Sequence, residues 1–208
     1  DKVVAVTGTF ASSNAISSAN IAEAAKVPYL ASGATNPKVT VDEKTGKVRN
    51  YVFRVCFIDP FQGTVAANFM TNNLKKKNAA VIVDNSSDYS KGLAEFFKEA
   101  LVNNGGSVVI EEAYLQKDQD FQSILTKIKS SDAEIIYIPG YYEEVGKIVK
   151  QARELGIEST ILGADGWDSP KLVEIAGAEA LNNTFFSNHY SVDSTDPESK
   201  AFVEKYTK

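Results

Sequence analysis

Short apolar runs alternate with amphipathic stretches along the chain. Runs such as 80–83 and 135–138 are continuously apolar, which is typical of strands in a parallel sheet that is covered on both faces. The pattern predicts strands at Val3–Thr7, Pro28–Ala31, Tyr51–Phe57, Ala79–Asp84, Ser107–Tyr114, Glu134–Pro139, Thr160–Gly163 and Thr184–His189.

Apolar residues recur at helical spacing between these strands. They predict helices at Gln62–Lys77, Lys91–Asn104, Phe121–Lys129 and Glu143–Leu155, followed by a last helix at Pro197–Tyr206. Glycines at 105–106 and 156 stand where two of these helices should end. Strand, helix and strand in succession indicate βαβ units, and therefore an α/β fold with doubly wound parallel sheets.

The predicted elements are unevenly distributed along the chain. Residues 79–163 supply four strands and three helices, which is nearly a complete lobe. The residues before Tyr51 supply two strands and one helix, too few to close a core alone, and residues 39–48 form a polar, hairpin-like insertion. Two arrangements stay open: the first segment docks on the second, or the chain is a fragment of a longer protein.

Composition narrows the possible functions by exclusion. A net charge of −5 over 208 residues argues against nucleic-acid binding, which needs basic surfaces that neutralise phosphates. Cys56 and His189 are the only residues of their types, so we expect no Cys/His zinc site and no cofactor, and we expect Cys56 to be a buried core thiol. Glycine-rich phosphate loops and a G-x-S-x-G nucleophile motif are absent from the sequence, so we expect no enzyme.

Polar and aromatic residues follow several predicted strands directly. Ligands of doubly wound sheets bind beyond the carboxyl ends of the strands, so these positions are the candidate site. Turns 8–13 and 32–37 carry hydroxyls and backbone N–H groups that suit a small carboxylate. Tyr89, Tyr141 and Asp165 follow later strands and suit an apolar body and an ammonium group. The alternative stays open that these residues are ordinary helix caps and loop anchors.

Several segments, spread over nearly the whole chain, carry a resemblance to a known family. V-T-G-T-F-A-S-S, V-P-Y-L-A-S-G-A-T-N-P and F-R-V-C-F-I-D-P-F-Q-G, followed by G-Y-Y and Q-A-R, resemble the leucine/isoleucine/valine-binding proteins of bacterial ABC importers. The resemblance implies the two-lobed type I periplasmic-binding-protein fold, with a first lobe that is incomplete because the chain is truncated at both ends. The first lobe would comprise residues 1–57 and 190–208 and the second lobe residues 58–189, with hinge crossings near 58–61 and 188–190.

The resemblance also assigns roles to the candidate residues. The hydroxyl and N–H of Ser12 and the N–H of Thr35 would hold the carboxylate of an amino acid. The carbonyl of Gly33 and the hydroxyl of Thr35 would accept from its ammonium group, with which Asp165 would pair. The full set of expected ligand-binding residues is Phe10, Ser12, Gly33, Ala34, Thr35, Tyr89, Tyr141 and Asp165, in which the three aromatic rings would enclose the ligand side chain.

The function that the resemblance implies is that of an extracytoplasmic solute-binding protein. It would bind a branched-chain or similar neutral amino acid and present it to a membrane permease, either in the periplasm or at the cell surface as a lipoprotein. The alternative is a ligand-sensing ectodomain or regulator domain of the same fold. An incomplete first lobe would also leave a sheet edge exposed, through which the fragment could associate with itself.

Overall fold

Two parallel sheets organise the molecule. A computed structural model describes residues 2–191 and 193–207. The strands are β1 (Val6–Thr7), β2 (Tyr29–Ala31), β3 (Val52–Arg54), β4 (Asn78–Asp84), β5 (Ser107–Tyr114), β6 (Ile135–Tyr137), β7 (Thr160–Gly163) and β8 (Thr184–Phe186). The helices are α1 (Ser12–Ala25), α2 (Asp59–Asn68), α3 (Asp88–Asn103), α4 (Gln122–Lys129), α5 (Tyr142–Glu154), α6 (Pro170–Ala176) and α7 (Pro197–Tyr206). The predicted α/β class with parallel sheets is confirmed.

The larger sheet has the strand order β5-β4-β6-β7-β8, with every neighbouring pair parallel. The order reverses between β4 and β6, because the chain passes from β4 outward to β5 and then returns to the other side of β4. This is the topological switch point at which doubly wound sheets bind ligands.

Helices cover both faces of the larger sheet. Phe121, Leu125 and Val149 pack on one face against Ile136, and Leu93 and Phe97 belong to the cluster on the other face. Because β4 is buried along nearly its whole length, an uninterrupted apolar run is the sequence that fits it.

The smaller sheet has the order β1-β2-β3, again all parallel, and is covered on one face only. Ala15, Ala19 and Tyr29 belong to the buried cluster beneath it. On the opposite face Leu30 is 40% exposed and Phe53 is 53% exposed. The burial of this sheet is therefore much shallower than that of the larger one.

Several predicted boundaries differ from the structure. The strand predicted at Val3–Thr7 is only Val6–Thr7, and the strand predicted at Tyr51–Phe57 ends at Arg54. The short helix α6 was not predicted, and α2 begins three residues before the predicted Gln62. Helix α7 has no buried residue. The assignment of residues 190–208, which include α7, to the first lobe stays a prediction.

Candidate functional site

The carboxyl ends of the two sheets face each other and are joined by hydrogen bonds. The Asp88 N–H at the start of α3 donates to the Ser13 hydroxyl in α1 at 3.0 Å. The Asn36 amide, after β2, donates to the Asp88 carbonyl at 2.7 Å. The polar residues that follow the strands of both sheets therefore meet in one place, which we call the interlobe cluster: Ser12, Thr35, Asp59, Gln62, Tyr89, Tyr141, Asp165 and His189.

Asp165 is a buried, well hydrogen-bonded carboxylate in the interlobe cluster. It follows β7 and is 5% exposed. Its Oδ1 accepts from the Tyr89 hydroxyl at 2.7 Å and from Gln62 Nε2 at 2.9 Å, and its Oδ2 lies 3.1 Å from His189 Nε2. The carboxylate does not cap a helix, which was the alternative that the sequence left open.

Tyr89 and Tyr141 form a stacked aromatic pair beside Asp165. Their ring centroids are 5.0 Å apart and the planes are inclined by 23°. Burial raises the pKa of both hydroxyls, so both act as neutral groups. A side chain at Gly166 would place its Cβ 2.7 Å from the Gly140 carbonyl and 3.1 Å from the Tyr141 ring, so glycine is needed for this close packing.

The turns after β1 and β2 supply the polar groups of the smaller sheet. Ser12 and Thr35 are each 1% exposed. The Ser12 hydroxyl does not cap α1, whose N-cap residue is Ala11, but accepts from the Asn36 N–H at 3.3 Å. The Thr35 hydroxyl is buried beside the Asp59 carboxyl group, whose pKa it lowers. Ser12 and Thr35 are thus both buried polar residues of the interlobe cluster.

Phe10, Gly33 and Ala34 lie at the margin of this site. A Cβ on Gly33 would come within 2.3 Å of the Phe10 ring, so the ring packs directly on the glycine, although Phe10 stays 54% exposed. The Ala34 carbonyl accepts from Arg54 Nη1 at 3.1 Å and from the Cys56 thiol at 3.5 Å. Cys56 is half-buried, so the prediction of a fully buried core thiol was wrong.

Asp59 is an acidic member of the interlobe cluster that the sequence analysis did not select. It is the first residue of α2, and it is fully buried. Burial is the main cause that raises its pKa to about 7; nearby Asp165 raises it further, and the Thr35 hydroxyl and Arg54 oppose the rise. Asp59 lies five residues after the end of β3, and it was not selected because the following helix was predicted to begin only at Gln62.

Gln62 and His189 were also missed as site residues. Gln62 links three groups. Its Oε1 accepts from the Ser187 hydroxyl at 2.7 Å and from the Asp165 N–H at 3.3 Å, and its Nε2 donates to the Asp165 carboxylate. The His189 ring stacks on Phe57 with centroids 3.9 Å apart. Gln62 lies 103 residues from Asp165 along the chain, and no local sequence signal announces such a contact.

The described residues also bear on metal binding and on membrane-spanning helices. Among them, no group of three or more His, Cys, Asp or Glu side chains is arranged to hold a metal ion. None of the helices in residues 2–191 and 193–207 is long and apolar enough to cross a membrane.

Comparison with known proteins places this geometry among solute-binding proteins. The family model described as "Periplasmic binding protein" matches residues 1–208. An amino acid binding protein of Pseudomonas aeruginosa is 34% identical over 206 residues, which are 99% of this chain and 54% of that protein. The Leu/Ile/Val-binding protein BraC3 of Rhizobium johnstonii is 34% identical over 81% of this chain and 45% of its own length.

Two solved structures are similar over nearly the whole chain. The leucine binding protein LivK from Thermotoga maritima has a TM-score of 0.91 and 42% identity, and the match covers 99% of this chain and 57% of that one. LivJ from Streptococcus pneumoniae, in complex with isoleucine, has a TM-score of 0.86 and 36% identity over 100% of this chain and 58% of that one. The chain thus spans about half the length of the relatives that it matches.

Proposed function

Because this chain belongs to the family of periplasmic binding proteins, we propose that it forms part of the solute-binding component of an ABC importer. The intact protein holds a branched-chain or similar neutral amino acid between its two lobes and does not transform it. One observation carries the proposal: polar groups from the carboxyl ends of both sheets converge on a buried carboxylate, beside a stacked tyrosine pair.

The chemistry of the interlobe cluster suits a zwitterion with an apolar side chain. Hydroxyl and N–H donors at Ser12 and Thr35 match a carboxylate, and the buried carboxylates match an ammonium group, which needs a paired anion once it leaves water. Tyr89 and Tyr141 offer an apolar wall, because their stacked rings are held in place by packing. Gly33, Ala34 and Phe10 complete the first-lobe side of the site.

Closure of the lobes couples binding to transport in this proposal. A ligand that contacts both lobes stabilises the closed arrangement, and a population shift of this kind presents a loaded protein to its permease. The protein then works outside the cytoplasm, in the periplasm or at the cell surface as a lipoprotein. The names of the relatives, two of which bind leucine, isoleucine or valine by their descriptions, favour transport over the sensing alternative.

Calorimetry of the intact protein with a panel of amino acids tests the proposal. We expect leucine, isoleucine or valine to bind with micromolar affinity or better and to be recovered unchanged, and we expect charged amino acids to bind at least about 100-fold more weakly, since a buried unpaired charge is unfavourable. Failure of every amino acid to bind, or turnover of a bound one, would contradict the proposal.

A matched pair of variants connects that binding to the site. Ser12→Ala removes a buried hydroxyl and should weaken binding by about 10- to 100-fold, the range for a hydrogen bond to a charged group. Ser17→Ala, in the same helix but on its exposed side, is the control and should bind like the unaltered protein. Equal affinities for both variants would exclude Ser12 from the site.

A further inference from the structure

His189 lies after β8, on a segment that returns to the carboxyl end of β7. Its Nε2 is 3.1 Å from Asp165 Oδ2, and its ring stacks on Phe57 with the two planes inclined by 21°. Phe57 belongs to the connection between β3 of the smaller sheet and α2, a helix whose residues Ala66 and Ala67 pack in the core of the larger sheet. The imidazole is therefore placed between the buried carboxylate and a connection that joins the two sheets.

Other side chains hold the segment that carries this ring. The Ser187 hydroxyl donates to Gln62 Oε1 at 2.7 Å. Asn188 Nδ2 donates to Asp168 Oδ2 at 2.8 Å, and Asn188 Oδ1 accepts from the His189 N–H at 2.7 Å. None of these bonds involves the imidazole, so the charge of the ring can change while the segment keeps its anchors.

The contact with Asp165 fixes where the hydrogen of a neutral ring lies. An ionised carboxylate only accepts hydrogen bonds, so a hydrogen bond over 3.1 Å requires the hydrogen on Nε2. In that form Asp165 accepts from three uncharged groups, which are the Tyr89 hydroxyl, the Gln62 amide and the imidazole. The carboxylate then keeps its full negative charge, which is what a cationic group of a ligand needs.

A second proton on the ring would change this arrangement. Protonation of the other ring nitrogen makes His189 a cation whose Nε2 is 3.1 Å from Asp165 Oδ2, so an ion pair forms within the protein. The His189 side chain is 29% exposed and that of Asp165 is 3% exposed, so the imidazole can exchange protons with water. Histidine is also the side chain whose charge ordinarily changes between pH 5 and pH 8.

The other charged groups near the imidazole act largely through Asp165, which is its ionic partner among the described residues. Several ionisable groups lie one contact further away, coupled to Asp165 or bonded to Asn188, and they are Cys56, Asp59, Tyr89, Tyr137, Tyr141 and Asp168. Arg54 acts on Cys56 and Asp59 and is the cation of this region. Because burial raises the pKa of Asp59 to about 7, its titration has to be separated from that of His189 in any experiment.

We propose that His189 is a positioning residue for Asp165, and that protonation of its ring makes ligand binding by the interlobe cluster sensitive to pH. The neutral ring orients the carboxylate, whereas the charged ring occupies it and competes with the ammonium group of the ligand. The inference rests on the proposed function, in which Asp165 pairs with that ammonium group, and adds a control of the same site. The protein would therefore hold its amino acid firmly at neutral pH and less firmly in mild acid.

The pH profile of leucine binding tests the proposal. Leucine is titrated into the intact protein and into His189→Gln between pH 5 and pH 8, since glutamine can donate to Asp165 but takes up no proton. We expect the affinity of the unaltered protein to rise with pH by about 5- to 10-fold more than that of His189→Gln, which is within the usual range for coupling between two sites. The contribution of Asp59 is common to both proteins and cancels in this comparison. Tyr190→Phe, at the next position, is the control and should reproduce the profile of the unaltered protein.

Proton release gives a second readout, which a merely structural role would not produce. Binding and proton release are linked, so a ligand that binds more tightly at higher pH must release protons. Leucine binding at pH 6 should therefore release more protons from the unaltered protein than from His189→Gln, measured from the buffer dependence of the binding enthalpy. Thermal unfolding verifies that each variant is folded, and His189→Asn takes the place of His189→Gln if the latter is not.

The outcomes separate this assignment from the proposed function. If leucine binds and His189→Gln lowers the affinity by the same factor at every pH, the residue is structural, and the assignment fails while the proposed function stands. Equal proton release from the two proteins would have the same meaning. If the unaltered protein binds no amino acid, the proposed function fails and the assignment fails with it.

Discussion

At the scale of single residues, burial decides the behaviour of the ionisable groups in the interlobe cluster. Asp59 and Asp165 are both nearly or fully excluded from water, but Asp165 has hydrogen bonds from Tyr89 and Gln62, whereas the Thr35 hydroxyl is the donor that acts on Asp59. Burial disfavours the ionised form of a carboxyl group, and this is the main physical reason that the pKa of Asp59 rises to about 7.

The raised pKa of Asp59 predicts how the stability of the ligand-free protein depends on pH. Because the pKa in the folded state lies above the ordinary aspartate value of 3.8, this group contributes stability that is complete below about pH 4 and is lost as the pH rises through about 7. The unaltered protein should therefore lose stability relative to Asp59→Asn as the pH rises. Between pH 4.5 and pH 8 the difference in their free energies of unfolding should change by about 2–4 kcal/mol in favour of Asp59→Asn. Urea unfolding at several pH values measures it, and a constant difference would show that Asp59 is not perturbed.

At the scale of helices and strands, the predicted bounds agree closely with the structure for three strands of the larger sheet. β5 and β7 have the predicted bounds, and β4 begins one residue earlier than predicted. In the buried strands β4 and β7 an apolar run with flanking polar residues defines the strand, whereas β5 is partly exposed along most of its length. β1 and β3 are shorter than predicted, since apolar residues on the uncovered face of the smaller sheet extend the pattern beyond the paired residues.

The candidate site was predictable to the extent that it follows strand ends. Tyr89, Tyr141 and Asp165 were selected because they follow β4, β6 and β7, and the structure brings them together. Asp59 was missed because the predicted helix began at Gln62, which made Asp59 part of a connection and not the start of α2. His189 was missed as a site residue because its partners are set by tertiary packing.

Helices cover both faces of the larger sheet but only one face of the smaller sheet. We therefore expect substitution of an apolar strand residue by alanine to lower the free energy of unfolding more in the larger sheet. Ile136 in β6 is fully buried between two layers of helices, so Ile136→Ala should lower the free energy of unfolding by about 2–5 kcal/mol. Leu30 in β2 is 40% exposed, so the control Leu30→Ala should cost less than about 1 kcal/mol. Chemical denaturation compares the two, and similar costs would mean that the outer face of the smaller sheet is covered in solution.

At the scale of the whole molecule, the predicted two-lobed type I periplasmic-binding-protein fold is confirmed by the family match and by the similarity to solved binding proteins. The division into residues 1–57 with 190–208 and residues 58–189 stays a prediction.

The hydrogen bonds at the junction have a consequence for ligand exchange, because those made only in the closed arrangement slow the escape of a ligand held between the lobes.

Substitution of Asn36 tests whether a hydrogen bond at the junction slows the escape of the ligand. It is 2% exposed, follows β2, and its amide donates to the Asp88 carbonyl at the start of α3 at 2.7 Å. Asn36→Ala should lower the population of the closed state and accelerate dissociation of the amino acid by about 5- to 20-fold, the equivalent of one hydrogen bond of about 1–2 kcal/mol. Asn103→Ala, at the exposed end of α3, is the control and should leave the rate unchanged. Stopped-flow displacement measures both rates, and an unchanged rate in Asn36→Ala would show that the contact with Asp88 persists equally in the open and closed arrangements.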